Sequence, residues 1–343
     1  MSITIGVVGY GYWGSKHARV MSSLPDVDLH VIDADPIRRG HAHDAFPNAT
    51  VHADLDSAVD ALDGVVIATP AATHHPLGRR TLDAGVHTLV EKPLALNTAD
   101  CRDLIDAADA SGVTLMVGHT FEFNAGVRKV RHLIESGELG DILYVDTARL
   151  NLGLYQSDVN VIWDLGPHDV SILNFLLRSV PSTVTATAGT HRSGRHADVA
   201  TLQLGYDDLD ITAYVRLSWL DPVKVRRVSV VGSRKMVVNN DTAAERIRLY
   251  DAGVEAAGPS DRFQDPPFEY RYGDIVSLHV PFEEPLLAED RHFVDCVRFG
   301  KLPDTDGHSG LAVVRVLEAA ERSIEEGRTV PVSSPERAGA VER

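Results

Sequence analysis

The sequence predicts an α/β protein: an N-terminal doubly wound parallel sheet, then a C-terminal α+β domain with a large, mostly antiparallel open sheet. Three observations lead there. Short apolar runs alternate with helix-length amphipathic segments through the first third of the chain. A glycine-rich turn joins the first such run to the first helix. Beyond Phe121 several long β-branched runs follow one another, separated by turn signals. Strand–helix alternation argues for parallel βαβ units, and consecutive strands joined by turns argue for antiparallel pairing.

The elements follow in order. "ITIGVVG" reads as a strand, and "YWGSKHARVMSSL" as a helix with Trp13, His17, Val20, Met21 and Leu24 on one side. "VDLHVID" is the next strand, and "PIRRGHAHDAF" opens a helix on Pro36. "GVVIATP", "GVHTLVEKP" and "GVTLMVGHT" are further strands, with helices predicted around Thr73–Ala84 and Thr98–Ser111. A helix "AGVRKVRHLIESGELG" and the strand "DILYVDTARL" begin the second part. The runs "STVTATAG", "DVATLQLGY", "LDITAYVRLSW", "VRRVSVVGS" and "KMVVNN" continue it, with turn signals at "YDDLD" and "VGSRK". Residues 252–285 are rich in proline, glycine and acid and are expected to form an extended surface loop. Two helices close the chain, near Glu284–Phe299 and Gly307–Glu326.

At 343 residues the chain is long enough for two domains. The change of pattern near Phe121 divides it into residues 1–122 and 123–343. A hydrophobic share of 44% and a charged share of 24% match a soluble globular protein. Cys101 and Cys296 lie far apart and outside any metal-spaced cluster, so a reducing interior is expected. The N-terminus runs straight into a strand, with no basic region and apolar segment of a secretory signal, and no run reaches the ~20 apolar residues of a spanning helix. A cytoplasmic protein is the expectation. The net charge of −16, from 33 basic and 49 acidic residues, repels nucleic acid and anionic membranes and attracts cations. Neither nucleic acid nor membrane is expected as a partner.

"GVVGYGYWG" places Gly9, Gly11 and Gly14 in G-x-G-x-x-G spacing, directly after a strand and before a helix. Gly9 permits the tight turn, Gly11 lets the backbone approach a pyrophosphate, and Gly14 allows close helix–strand packing. The helix N-terminus offers free N–H groups to the phosphates. Residues 1–122 therefore read as a dinucleotide-binding Rossmann domain. Asp33, 24 residues after Gly9, ends the second strand. A carboxylate there accepts from the ribose hydroxyls and repels a 2′-phosphate, so NAD is expected rather than NADP. The competing role for Asp33 is a helix cap, which Asp35 fills at least as well.

"LVEKPLAL" ends a buried strand with Glu91, Lys92 and Pro93. In a doubly wound sheet the carboxyl ends of the strands face the ligand crevice, which is where Lys92 falls. Proline after lysine disfavours a helical lysine and permits a cis bond. Further on, "VIWDLGPHDVSIL" contains Asp164 and His168, four apart. That spacing shares one helical face, although Gly166-Pro167 suggests that the helix begins only at Pro167. An imidazole oriented by a carboxylate is a suitable general base. The plainer alternative makes Asp164 a cap and packs His168 inside, backed by Asp169. His41, His43 and the pair His74-His75 find no further ligand at metal spacing, and no metal is expected.

The combination resembles the glucose–fructose oxidoreductase / inositol dehydrogenase (Gfo/Idh/MocA) family over nearly the whole chain. The segments carrying the resemblance are "ATPAATHHPLGRRTLDAGVHTLVEKPLAL", "VGHTFEFNAGVRKVRHLIESGELGDI" and the D-x-x-x-H of Asp164 and His168. Ala125 departs from the proline that many relatives carry after the asparagine at Asn124. The resemblance implies catalytic roles for Lys92, Asp164 and His168. It implies a cofactor site of Gly9, Gly11, Tyr12, Trp13, Gly14, Asp33, Thr69, Pro70, His74, Glu91 and Lys92. It places the substrate against Lys92, His119, Phe121, Asn124, Arg149, Trp163, Asp164 and His168. A homodimer or homotetramer through the C-terminal sheet is implied as well.

"RLNLGLYQSDVNVIWDLGPHDVSIL" and "SWLDPVKVRRVSVVGSRKM" resemble a subgroup that oxidises C3 of hexose rings before transamination, on nucleotide-linked sugars or on aminoglycoside intermediates of the kanamycin and gentamicin type. The acidic charge favours the cationic glycoside over a nucleotide sugar, whereas Arg149, Lys224, Arg226 and Arg227 weigh the other way. A UDP-hexose 3-dehydrogenase, a glycosidase using transient C3 oxidation by NAD, and a nucleotide-sensing protein without catalysis are the other readings.

Overall fold

In the computed structural model, which describes residues 2–153, 159–192, 194–256 and 268–332, the chain divides into two compact units. One comprises residues up to Ala125 together with Phe282–Val314, and the other Gly126–Pro281 with the residues from Arg315 onward.

The first unit alternates strand and helix: β1 (Ile3–Val8), α1 (Tyr12–Ser23), β2 (Val27–Ile32), α2 (Pro36–Ala45), β3 (Thr50–His52), β4 (Gly64–Ile67), α3 (His74–Asp83), β5 (His87–Glu91), α4 (Thr98–Ser111) and β6 (Leu115–Gly118). All pairings are parallel, in the order β3-β2-β1-β4-β5-β6. Consecutive residues of β4 and β5, among them Val65, Val66, Ile67, Leu89 and Val90, are fully buried, as a sheet covered on both faces requires. The order reverses between β1 and β4, the switch point where such sheets bind ligands beyond their carboxyl ends.

The second unit opens with α5 (Ala125–Glu135), β7 (Ile142–Leu152), α6 (Val161–Leu177), β8 (Thr183–Gly189), β9 (Val199–Tyr206), β10 (Ile211–Ser218), β11 (Leu220–Gly232), β12 (Met236–Asn240), β13 (Ile247–Ala256) and β14 (Phe268–Leu278). The chain then returns to the first unit with α7 (Pro285–Phe299), whose Phe293 and Val294 share a core with Ile5, Met21 and Leu89. It ends in α8 (Gly307–Glu326), which runs from the first unit into the second, and β15 (Val330–Pro331). The nine-stranded sheet has the order β14-β13-β12-β11-β7-β10-β9-β8-β15. Only β7 and β10 pair in parallel; the rest are antiparallel. Along β10, Ile211, Ala213, Val215 and Leu217 are buried on alternate positions, and α6 packs on that sheet. No helix among the described residues is long and apolar enough to cross a membrane.

Two expectations about local structure need correction. Residues 252–285 are not simply loop: β14 occupies Phe268–Leu278 and pairs antiparallel with β13. Its glycine and acids hid the aromatic and β-branched residues Phe268, Tyr270, Tyr272, Ile275 and Val276. The helix bearing Asp164 also begins before Pro167, at Val161. Asn160 caps it, its side chain accepting from the N–H groups of Ile162 at 3.0 Å and Trp163 at 3.2 Å. The helix starts at that cap, and the proline removes one interior hydrogen bond without setting the boundary.

Candidate functional site

The carboxyl ends of the parallel strands gather the first set of predicted residues. Gly9 follows β1, Asp33 follows β2, Thr69 and Pro70 follow β4, Glu91 and Lys92 end β5, and His119 follows β6. Two of the three glycines leave no room for a side chain. Gly9 has φ +90°, and a Cβ there would lie 2.7 Å from Thr69 Cγ2. At Gly14 a Cβ would stand 1.6 Å from the Gly9 carbonyl oxygen. Beside Gly11 the space is open, with Arg38 Nη1 the nearest group at 4.0 Å. No side chain caps α1, and its first turn carries no acid, so its N–H groups stay available to an anion. Tyr12 and Trp13 project from this turn, 65% and 40% exposed.

Asp33 is almost fully buried and accepts from the backbone N–H groups of Tyr10 at 2.6 Å and Asp35 at 2.8 Å. Capping of α2 falls to Asp35, which accepts from Ile37 N. The Arg38 guanidinium lies 3.8 Å from Asp33. A glycine turn over an uncapped helix, with an oriented carboxylate at the next strand end, fits a dinucleotide. Gly9, Gly11 and Gly14 would hold its pyrophosphate, and Asp33 its ribose.

His74, buried at the start of α3, faces the carbonyl oxygens of Thr69 at 2.9 Å and Pro93 at 2.8 Å. Its ring thereby lies between the turn after β4 and the turn after β5; burial lowers its pKa, and the neutral ring donates to one of the two carbonyls. Lys92 is half-buried, and its bond to Pro93 is cis. Its backbone N–H donates to the Glu91 side chain at 3.0 Å. His119 is 1% exposed, and neither ring nitrogen has a hydrogen-bond partner among the described residues. Burial pushes its pKa down to about 4, leaving a neutral imidazole beside Glu91 and Lys92. Phe121 and the buried Asn124 follow on the same turn, Asn124 N donating to Phe121 O.

Beneath β5 lies a cluster that sequence reasoning missed. His17 faces Asp290 at 2.8 Å and Glu91 at 3.1 Å, and Thr120 donates to Glu289 at 2.9 Å. The available signal was a histidine on the apolar side of α1. Its partners on α7 carry no local mark.

In the second unit Asp164 and His168 stand one turn apart on α6, as their spacing predicts. Asp164 accepts from the buried Trp219 indole N–H at 3.0 Å, a donor sequence reasoning did not find. Trp163 is buried on the same helix. Asp169 turns to β7, where Arg149 donates to it at 2.5 Å with both side chains buried. Burial, outweighing the charge of Arg149, raises the Asp169 pKa. Arg226 sits 3.7 Å from Asp241, its pKa lowered by burial and then by the neighbouring Arg149. Arg227 lies 3.4 Å from Asp146, and Lys224 is exposed. Among the described residues no three histidine, cysteine or acidic side chains are arranged to hold a metal, and neither Cys101 nor Cys296 is in a disulfide.

Comparison with known proteins agrees with this layout. D-apiose dehydrogenase of Paraburkholderia graminis is 27% identical over 96% of this chain and 90% of its own length. Inositol 2-dehydrogenase of Rhizobium meliloti is 25% identical over 97% of this chain and 100% of its own. The crystal structure of GenD2 from gentamicin A biosynthesis, in complex with NAD, superposes with a TM-score of 0.82 at 28% identity, covering 97% of each chain. The family model for the GFO/IDH/MocA oxidoreductases, described as an NAD-binding Rossmann fold, matches residues 3–119, and the GFO/IDH/MocA C-terminal domain matches residues 127–238. With both halves matched in order on the two sheets described above, the chain belongs to the GFO/IDH/MocA family of NAD-dependent oxidoreductases.

Proposed function

We propose that this protein oxidises a secondary ring hydroxyl, at C3 of a hexose unit, to a ketone that a later transamination consumes. The observation that carries the reading is Lys92 at the carboxyl end of β5, in a turn whose Pro93 carbonyl lies against the buried His74 ring at the end of β4. In this reading residues 1–122 bind the dinucleotide, and residues 123–343 bind substrate and carry the contacts between copies. Tyr270, Tyr272 and Ile275, exposed on the edge strand β14, are apolar surface of the kind a second copy covers.

Lys92 donates a hydrogen bond to the reacting oxygen and stabilises its growing negative charge. His168 removes the hydroxyl proton, and Asp164, held by Trp219, orients the imidazole and favours its protonated form. NAD, when bound, supplies the hydride acceptor. The C–H bond gives up its electron pair as hydride and the O–H bond its proton, leaving the ketone.

An amine-bearing aminoglycoside intermediate is the favoured substrate. The 28% identity to GenD2 over 97% of both chains supports it. So does the net charge of −16, which steers cations inward and diphosphates away. Of the four cations that weigh toward a diphosphate, Arg149, Arg226 and Arg227 each lie against a carboxylate, and Lys224 is exposed.

NADH formation by the purified chain tests the proposal, with an amine-bearing pseudo-oligosaccharide, a UDP-hexose and myo-inositol offered in turn. The first is expected to turn over. Preference for the UDP-hexose overturns the substrate choice. Release of free sugar without net NADH makes the protein a glycosidase instead. Lys92→Ala and His168→Ala should each lower the rate by on the order of 10²-fold or more.

A further inference from the structure

Beneath Lys92 the molecule buries more charge than its fold requires. His17, Glu289 and Asp290 are 0% exposed and Glu91 is 6% exposed. His17 Nδ1 lies 2.8 Å from Asp290 Oδ1, and its Nε2 lies 3.1 Å from Glu91 Oε1. A neutral imidazole donates from only one nitrogen, so two carboxylate partners call for the imidazolium. Burial alone would lower the pKa of His17. The charge and hydrogen bond of Asp290, and then those of Glu91, raise it well above the ordinary value. The second oxygen of Glu91 accepts the Lys92 backbone N–H at 3.0 Å. A continuous hydrogen-bonded chain thus runs from α7 through α1 to the residue that does the chemistry.

Stability does not explain this chain. Buried ion clusters cost heavily in desolvation, and apolar residues of similar volume often serve as well or better. Met21 of α1, Leu89 of β5 and Phe293 of α7 already belong to one apolar core. What an apolar trio could not do is hold a carboxylate in one orientation at the base of the Lys92 turn.

We propose that His17 is a positioning residue for Lys92: anchored by Asp290, it fixes Glu91, and Glu91 fixes the backbone from which the lysine projects. Because α1 also begins at the glycine turn, the same imidazole ties the dinucleotide's helix to the lysine's strand. The ionisable groups that meet the imidazole are Asp290 and Glu289 on α7 and Glu91 at the end of β5; Lys92 and His119 stand beside Glu91, and Thr120 after β6 donates to Glu289. The inference rests on the reading of Lys92 as the group that holds the reacting oxygen.

The test uses the full chain with NAD bound, as wild type, Lys92→Ala, His17→Gln and Asp290→Asn. Amide hydrogen exchange is read at Lys92 and, as a control, along β1 and β2. Turnover is read with the ring-hydroxyl substrate selected above. His17→Gln should speed exchange at Lys92 about tenfold or more while the control strands stay protected. It should also lower kcat by about 10²-fold with KM within about twofold, as a displaced catalytic group does. Asp290→Asn keeps an acceptor but removes the charge that holds the imidazolium, so its kcat should acquire an alkaline loss that wild type lacks. If Lys92→Ala is inactive while His17→Gln matches wild type in exchange and kcat, the positioning role is wrong and the function stands. If Lys92→Ala keeps its turnover, the function falls, and exchange at Lys92 still judges the positioning. Should His17→Gln fail to fold, the pH profile of Asp290→Asn decides, and an unchanged profile overturns the inference.

Discussion

Trp219 donates its indole N–H to Asp164 at 3.0 Å from a position that is 1% exposed. The carboxylate one turn before His168 is therefore aimed by the rigid end of a β-strand, with a donor that cannot turn away. Trp219→Phe keeps most of the packing and deletes the donor. Losing a hydrogen bond to a charged group costs about 1.5–3 kcal/mol. The expected result is a fall in kcat of about tenfold or more together with a melting temperature lowered by only a few degrees, measured by steady-state turnover and calorimetry.

Arg149 and Asp169 tie β7 to α6 through a buried ion pair. Asp169→Asn leaves a guanidinium without its charge partner, a change that costs about 3–5 kcal/mol in comparable buried pairs. Replacing both residues together, as Arg149→Met with Asp169→Leu, should recover most of that loss. Equilibrium denaturation of the two variants is the measurement. Equal destabilisation in both would show that the pair acts independently of its charges.

The proposed ribose contact makes Asp33 the residue expected to set cofactor choice, with Arg38 standing 3.8 Å from its carboxylate. Asp33→Ser removes the repulsion toward a 2′-phosphate and leaves the guanidinium to meet it. The ratio of NADP to NAD affinity should rise by on the order of tenfold to a hundredfold, the range of one charged hydrogen bond. Calorimetric titration with each dinucleotide gives the ratio, and no rise would remove Asp33 from the ribose site.

His119 links stability to pH. Burial holds its folded-state pKa at about 4, against 6.5 when exposed. Between those values the unfolded chain binds a proton that the folded chain refuses, so stability falls as pH drops through the window. At about 1.4 kcal/mol per pKa unit the loss is on the order of 3 kcal/mol. Glu289 and Asp290, whose pKa values are raised mainly by burial, act in the opposite sense as pH falls. The clean quantity is the difference between wild type and His119→Asn. Unfolding free energies measured from pH 7 to pH 4 should diverge in favour of the variant relative to neutral pH; parallel curves would contradict the assignment.

Backbone requirements made much of the first unit legible in the sequence. Gly9, with φ +90°, and Gly14, with no room for a Cβ, announce their turn through residue type alone. Lys92 before Pro93 announces a strand end in the same way. In the second unit the spacing of Asp164 and His168 placed them one turn apart on a helix, but the start of that helix falls earlier than Pro167 suggested because Asn160 caps it. β14 escaped because an edge strand exposed along almost its whole length lacks the buried alternation by which strands are recognised.

Taken alone, the sequence determined the order of most strands and helices, the place of the glycine turn, and the positions of the acid, lysine and histidine to which the proposed function gives roles. These follow from periods of two or nearly four residues and from backbone limits that act within a few residues of chain. Only the tertiary structure decided which carboxylate each cation or buried donor meets. Asp290 reaches His17 across 273 positions, Trp219 reaches Asp164 across 55, and Asp169 reaches Arg149 across 20. A side chain's charge is written locally, whereas its partner is chosen by burial: once packing removes water, an ionisable group must be matched by whatever the fold brings beside it.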